Sequence, residues 1–137
     1  MKVSELMTPE VEVIRPEDTL HTAAQMMADL DVGALPVGEK DRLVGMISDR
    51  DITVRAVANG RDPDKTLVRD AMSEQIRYCF EDDDTAEVAN KMGQWQIRRL
   101  PVLNRDKRLV GIVSLGDLAI GGAAEDGKEA LKEISEA

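Results

Sequence analysis

The chain has 137 residues, and its 18 Lys and Arg against 27 Asp and Glu give a formal net charge of −9. A chain of this length can bury a real core, and at 42% hydrophobic but 2% aromatic residues that core must be aliphatic and rich in the seven Met. The acidic balance argues against general binding to nucleic acids or anionic membranes, which need basic surfaces. No apolar run approaches the roughly 20 residues that span a bilayer, charges interrupt any signal-peptide pattern near Lys2, and Cys79 is the only cysteine. We therefore expect a soluble, cytoplasmic protein.

The chain contains an internal repeat of about 60 residues. An offset of 65 pairs Leu35-Pro36-Val37 with Leu100-Pro101-Val102, and an offset of 66 pairs Arg42-Leu43-Val44-Gly45 with Arg108-Leu109-Val110-Gly111. The one-residue slip falls at Asn104–Lys107, a polar segment typical of a turn that tolerates insertion. Since one copy alone would bury little surface, we expect the two copies to share a core.

Periodicity predicts the same elements in both copies. The first copy is predicted to contain an extended segment at Val11–Ile14, a helix with apolar positions from Leu20 to Leu30 and a start signal at Pro16 just upstream, strands at Ala34–Val37 and Leu43–Ile47, and a helix at Asp51–Ala58 ended by Gly60. The second is predicted to contain an extended segment at Ile76–Phe80, a helix at Thr85–Trp95, strands at Leu100–Leu103 and Leu109–Val113, and a helix from about Leu115.

These elements predict four segments along the chain. Residues 1–60 form repeat 1, residues 61–67 a connector, residues 68–122 repeat 2, and residues 123–137 a C-terminal tail. The tail is rich in Ala, Glu and Lys, and the pattern leaves open whether it is a short helix or a frayed end.

One motif with chemical content occurs once in each copy, as Ser48-Asp49-Arg50-Asp51 and as Ser114-Leu115-Gly116-Asp117. Each follows a Gly-containing strand and opens a helix. A Ser at this place can accept a hydrogen bond from a free helix N–H, and the Asp can return one, so the motif alone favours a capping box. The Asp also has two acceptor oxygens, which suit the two hydroxyls of a ribose.

The duplicated order of Leu-Pro-Val strand, Val-Gly strand and Ser-x-x-Asp helix start resembles the cystathionine-β-synthase (CBS) domain over about residues 1–120. The resemblance implies an α/β (α+β) fold, in which two β-α-β-β-α CBS repeats pack as a pseudo-twofold Bateman module. It also implies a ligand cleft between the repeats, in which Ser48 and Asp51, or Ser114 and Asp117, hold the ribose of an adenosine.

The copies differ where each approaches its Pro strand. The second copy has Arg98 and Arg99 where the first has Gly33 and Ala34. The resemblance places these positions beside the cleft, where forked Arg donors suit a phosphate. The alternative is that the two Arg are simply a solvated surface. We therefore expect two unequal clefts, of which only one holds a phosphorylated ligand well.

The resemblance also implies that the backbone of the two extended segments contacts the adenine ring. The positions are Val13 and Ile14 in the first copy and Tyr78 and Cys79 in the second. Tyr78 and Phe80 alternate, so they should share a face, where core packing is favoured over stacking on a base. Trp95 continues a helical apolar stripe and is expected in the core or an interface.

The sequence offers little support for catalysis. His21 is the only histidine, lies on a helix face and has no recognisable orienting partner. No His/Cys cluster has zinc spacing, and no phosphate-binding Gly-rich loop occurs. The run Glu81–Asp84 is a conceivable cation site but fits a helix N-terminus better. We expect neither an enzyme nor a metal site.

The sequence therefore predicts a regulatory module that binds an adenine nucleotide, with AMP, ADP, ATP, NAD(H) and S-adenosylmethionine not distinguished. The resemblance implies a homodimer, and an effector protein would read the ligand state in trans. A ligand-independent dimeric interaction scaffold is the alternative, with redox sensing through Cys79 as a third.

Overall fold

The computed structural model describes residues 1–74 and 76–120. The predicted tail at residues 123–137 lies outside the described residues, as do Gly121 and Gly122. None of the helices in the described ranges has the length and apolar character needed to cross a membrane.

The first repeat contains helix α1 and a hairpin. α1 spans Leu20–Leu30, and the hairpin pairs β2 (Ala34–Glu39) with β3 (Arg42–Ser48). The apolar spacing from Leu20 to Leu30 predicts this helix, and its N-cap is Thr19, whose hydroxyl accepts from the Thr22 N–H. The predicted second helix is present as α2 (Asp49–Asp51), a π-helical turn (Ile52–Ala56) and a 3-10 turn (Val57–Asn59), ended by left-handed Gly60.

The second repeat has a matching helix and hairpin, and its extended segment forms a strand. β4 (Cys79–Phe80) pairs in parallel with β5 (Arg99–Leu103), and β5 pairs antiparallel with β6 (Leu109–Ser114). Helix α3 spans Thr85–Trp95 between β4 and β5, and α4 spans Leu115–Ile120 after β6. In the first repeat the segment matching β4 makes only a bridge, between Ile14 and Val37 of β2.

The slip in the repeat falls in a turn, as predicted. β2 and β3 are joined by two residues with positive φ, Lys40 and Asp41. The longer connection between β5 and β6 is held by Asn104, whose side-chain oxygen accepts from the N–H groups of Asp106 and Arg108. The extra residue therefore changes the turn and leaves the strand pairing intact.

The N-terminal segment of each repeat packs on the other repeat. Residues 1–11 belong to one compact unit with the chain from residue 77 onward (unit 1), whereas residues 12–76 form the second (unit 2). The Val3 N–H donates to the Asp83 carbonyl at 3.0 Å, and 65 residues on the Val68 N–H donates to the Asp18 carbonyl at 2.8 Å. The two repeats therefore exchange their N-terminal segments, and each segment packs on the other repeat.

Strand pairing follows the same exchange. β1 (Thr8–Pro9) pairs antiparallel with β6 in a sheet ordered β1-β6-β5-β4, and Ser73 bridges Met46 of β3. The exchanged segments pass over the strand glycines: a Cβ on Gly45 would lie 2.8 Å from the Met72 sulfur and 2.9 Å from the Ser73 carbonyl oxygen. Glycine is required there because the crossing backbone occupies the space of a side chain.

Among the described residues, the buried side chains fall into two clusters, one in each unit. Val3 lies in the cluster of unit 1, and Val68 and Ala71 lie in that of unit 2, all at most 1% exposed. Each cluster is thus completed by residues that belong to the other repeat in sequence. The sharing expected from the small size of each repeat is achieved by exchanging segments.

Candidate functional site

Both Ser-x-x-Asp motifs form complete capping boxes. The Asp51 N–H donates to the Ser48 hydroxyl at 3.1 Å, and the Ser48 N–H donates to Asp51 Oδ2 at 2.9 Å. The second motif repeats this: the Asp117 N–H donates to Ser114 at 3.0 Å, and the Ser114 N–H donates to Asp117 Oδ2 at 2.9 Å. The capping interpretation is confirmed in both copies.

The capping boxes leave Oδ1 of each Asp outside the box. Oδ1 of Asp51 lies 3.8 Å from Nε of Arg55, in a half-exposed ion pair. Asp117 has no ion pair within the described residues, and the repeat aligns Arg55 with Gly121, which has no side chain. Both carboxylates are half-buried. An Asp with one oxygen fixed and the other open can still accept hydroxyl groups.

In unit 1, four of the predicted residues lie at one end of the sheet. Arg99, the first residue of β5, stands opposite Ser114, the last of β6, and the Leu115 N–H donates to the Arg98 carbonyl at 3.1 Å. Both Arg are exposed. We call Arg98, Arg99, Ser114 and Asp117 the Asp117 end. Two guanidinium groups and a carboxylate on one sheet end can meet a phosphate and a diol, respectively.

The predicted adenine segment approaches the same end of this sheet. β4 runs parallel to β5, with Cys79 opposite Val102. Tyr78, one residue before Cys79, therefore lies nearer the end of the sheet at which β5 begins. Tyr78 and Phe80 share a face, with ring centroids 5.6 Å apart at 88°, and both are half-buried. Cys79 is 2% exposed, so only its backbone could meet a ligand.

In unit 2 the corresponding positions carry different groups. Ala34 stands opposite Ser48, and the Asp49 N–H donates to the Gly33 carbonyl at 2.9 Å. We call Gly33, Ala34, Ser48, Asp49 and Asp51 the Asp51 end. In the adjoining segment Ile14 is fully buried and Val13 is 39% exposed.

Two charged residues near the Asp51 end were missed by sequence reasoning. Asp49 aligns with Leu115, and Arg55 with Gly121, so comparing the copies position by position would have singled out both. The Nη1 of Arg55 donates to the carbonyls of Ala71 and Met72 at 3.3 and 3.1 Å, which ties it to the exchanged segment.

His21 does have a partner, contrary to the sequence expectation. Its Nδ1 is hydrogen-bonded to Asp64, a residue of the connector, and both side chains are exposed. The connector brings the two together because the His21 N–H also donates to the Pro63 carbonyl. The pair therefore fastens the connector to α1.

The acidic run is used as a helix start. α3 begins after Asp84, Asp83 accepts from the Phe80 N–H at 2.9 Å, and Asp82 binds Arg105, whose hydrogen bond lowers the pKa of that carboxyl. Within residues 1–74 and 76–120, His, Cys, Asp and Glu side chains do not gather in groups of three that could hold a metal ion.

Burial raises the pKa of the Cys79 thiol to about 12 from an ordinary value of 9.0, with the nearby Asp83 adding to the shift. The thiol donates to the Pro101 carbonyl at 3.8 Å. Since the folded protein holds this proton more tightly, the thiol's contribution to stability is complete below about pH 9 and is lost as the pH rises towards 12.

Labelling should therefore distinguish folded from unfolded protein. At pH 8 we expect a disulfide reagent to modify Cys79 in the folded protein roughly a thousandfold more slowly than in urea, because the thiolate fraction is that much smaller. Absorbance of the released thiol measures both rates on the same cysteine. Equal rates would contradict this burial and favour the redox-sensing alternative.

Comparison with known proteins gives consistent matches across the chain. A model of the CBS domain matches residues 3–57 and 68–120. The CBS domain-containing protein YhcV of Bacillus subtilis is 40% identical over 134 residues, which are 97% of this chain and 94% of that protein. The crystal structure of Hypoxic Response Protein I with two coordinated zinc ions is 37% identical, with a TM-score of 0.80 over 88% of this chain and 98% of that one.

Two further matches are narrower in what they show. The structure of CBSX2 in complex with AMP has a TM-score of 0.77 over 90% of this chain and 97% of that one, but at 23% identity it shows the fold alone. Inosine-5'-monophosphate dehydrogenase of Methanocaldococcus jannaschii is 33% identical over 85% of this chain, which is 23% of the enzyme. This match covers the enzyme's CBS region and carries no catalytic activity to this chain.

The family model matches both repeats, and both repeats share a capping box and a hairpin glycine under the exchanged segment. The chain therefore belongs to the CBS domain family, as a tandem pair with the fold of a Bateman module.

Proposed function

We propose that the chain is a regulatory module that binds an adenine nucleotide, with the ribose on Asp117 and the phosphate on Arg98 and Arg99. The observation that carries the proposal is the register that sets Arg99 opposite Ser114, so the candidate phosphate and ribose groups lie at one sheet end. The AMP bound in the CBSX2 structure supports the ligand class. The backbone of Tyr78 and Cys79 supplies the adenine contacts.

The signal is transmitted by differential affinity. A ligand shifts a protein between arrangements only as far as it binds them unequally, and an effector protein then reads the populations in trans. Homodimerisation and a cytoplasmic location complete the proposal. The position of the ligand in a cleft between the repeats, which the family resemblance implies, remains a prediction.

A thermal-shift panel with AMP, ADP, ATP, NAD, NADH and S-adenosylmethionine tests the proposal. A ligand at 100 times its Kd should stabilise the fold by about 2.7 kcal/mol. Asp117→Asn is the informative variant, because an Asn oxygen still accepts from the Ser114 N–H while the anionic acceptor is lost. We expect unchanged stability without ligand and a reduced ligand shift.

Arg99→Ala separates phosphate binding from nucleoside binding. We expect it to weaken AMP about tenfold, by the roughly 1.4 kcal/mol of a charge-assisted contact, while leaving adenosine unchanged. Arg42→Ala is the matched control, an exposed Arg on β3 of unit 2. Equal weakening of both compounds in isothermal titration would rule out the phosphate role of Arg99.

The second candidate is a ligand-independent scaffold. It is favoured by the complete capping boxes, which need no ligand, and by Val54 and Val57, which are 50% and 61% exposed. Such apolar residues, three apart on one helical stretch, suit a contact between chains. No thermal shift with any compound in the panel, together with a stable dimer in solution, would favour the scaffold.

A further inference from the structure

Two of the seven Met, Met7 and Met72, occupy equivalent places in the two repeats. Each lies in an exchanged segment, against the strand glycine that the segment crosses. The Met7 sulfur is 2.6 Å from the place a Cβ on Gly111 would take. The Met72 sulfur is 2.8 Å from the equivalent place on Gly45. A thioether therefore lies directly against backbone at each crossing.

Both of these side chains can be reached by a small molecule in the folded protein. Met7 and Met72 are half-buried, and each packs against the apolar cluster of its own unit. Met27 and Met92, in contrast, are 6% and 0% exposed. An oxidant in solution therefore meets the sulfurs at the two crossings, whereas the sulfurs of the core are covered.

The cysteine does not compete for such an oxidant. Cys79 is 2% exposed, and burial keeps its thiol protonated by raising its pKa to about 12. Peroxides react with the thiolate and not with the thiol. A methionine thioether has no proton to lose, so its reaction does not depend on this ionisation.

We propose that Met7 and Met72 are a matched pair of oxidation sites, and that hydrogen peroxide loosens both exchanged segments by converting the two thioethers to sulfoxides. The sulfur lone pair attacks one peroxide oxygen, and the S–O bond forms as the O–O bond breaks. The sulfur is oxidised by two electrons, and the peroxide is reduced to water. Methionine sulfoxide reductases reverse the change.

The loosening follows from the added oxygen. A sulfoxide is polar and larger than a thioether, and here it forms on a sulfur that lies against a glycine and an apolar cluster. The side chain therefore turns towards water and leaves the glycine. Each segment then loses the side-chain contact at its crossing, in both units alike.

The first measurement maps the sites. The full chain is treated with hydrogen peroxide, and peptide mass mapping locates each added oxygen. We expect Met1, which is 58% exposed, to be oxidised first, Met7 and Met72 next, and the buried Met only on unfolding. Oxidation of the pair only together with the buried Met would overturn the proposal.

The second measurement follows the segments themselves. The Val3 N–H donates to the Asp83 carbonyl and the Ser73 N–H to the Met46 carbonyl, so both amides report on the crossings. After oxidation their hydrogen exchange should become about tenfold faster or more, and the urea midpoint should fall. Unchanged exchange and an unchanged midpoint with both Met oxidised would contradict the proposal.

Substitution assigns the effect to these two sulfurs. Met7→Leu combined with Met72→Leu keeps apolar side chains that cannot be oxidised, so peroxide should leave the urea midpoint of this double variant unchanged. Met26→Leu is the matched control, a half-buried Met of α1 that packs on the cluster of unit 2, and it should stay as sensitive as the wild type. An equal fall in the double variant and the wild type would overturn the proposal.

Reduction gives a readout that needs no variant. Treating the oxidised wild type with both methionine sulfoxide reductases should restore its midpoint, even if the double variant folds poorly. A midpoint that stays low after both Met are reduced would contradict the proposal. No nucleotide is present in these experiments, so their results do not depend on the proposed function.

Discussion

Replacing Gly111 with alanine is expected to destabilise the protein by about 1–3 kcal/mol, and replacing it with valine by more. A Cβ at Gly111 would lie 2.6 Å from the Met7 sulfur and 3.0 Å from the Thr8 carbonyl oxygen. The Met7 side chain can move, but Thr8 is in β1, whose backbone is paired with β6. The substitution therefore forces apart the exchanged segment and the strand it covers.

Gly116→Ala is the matched control. Its Cβ would make an ordinary contact, 3.5 Å from the Ser114 hydroxyl, and it lies in α4, where alanine is favoured over glycine. Urea denaturation measures both variants. We expect a lower midpoint for Gly111→Ala and an unchanged or higher one for Gly116→Ala. Equal midpoints would show that the crossing over Gly111 is looser than described.

The second large effect is expected from Val3→Asp, at about 3 kcal/mol or more, because a carboxylate would be buried without a partner. Val3 is fully buried in the cluster of unit 1, whose other members come from Cys79 onward. The loss of stability should therefore appear in the residues from Cys79 onward, which are distant from Val3 in sequence. Hydrogen exchange is expected to lose protection in β5 and β6 while β2 and β3 keep theirs.

Two further substitutions sharpen this result. Val68→Asp changes the matching residue, fully buried in unit 2, and should expose β2 and β3 first. Val54→Asp makes the same chemical change at a side chain 50% exposed and should cost less than about 0.5 kcal/mol. Loss of protection in β2 and β3 on Val3→Asp would contradict the segment exchange.

The sequence predicts the local elements closely where periodicity is strong. The bounds of α3 agree to the residue, and each hairpin strand is within two residues of its predicted end, because apolar spacing and the Leu-Pro-Val and Val-Gly runs leave little freedom. The exchange of segments could not be predicted. Val3 and Val68 stand at the same place in matching apolar patterns, so the sequence does not say which of the two copies each segment packs on.

The candidate site was likewise predictable from the sequence only where its contacts are local. The capping boxes follow from Ser-x-x-Asp alone, because both partners are three residues apart. The position of Arg99 opposite Ser114 depends on strand register, which the bulge in the β5–β6 hairpin shifts. The charge of Asp49 was visible in the sequence, but its place over Gly33 depends on the fold.

The most direct test is a titration of isotope-labelled protein with AMP, followed by the backbone amide signals. Binding at the Asp117 end predicts the largest shifts at Tyr78, Arg99, Ser114 and Asp117, with smaller ones at Ser48 and Asp51. The Asp117→Asn variant should show these shifts only at higher AMP concentrations. Signals that stay unmoved at these residues, at AMP concentrations up to the millimolar range of weak binding, would contradict nucleotide binding by this module.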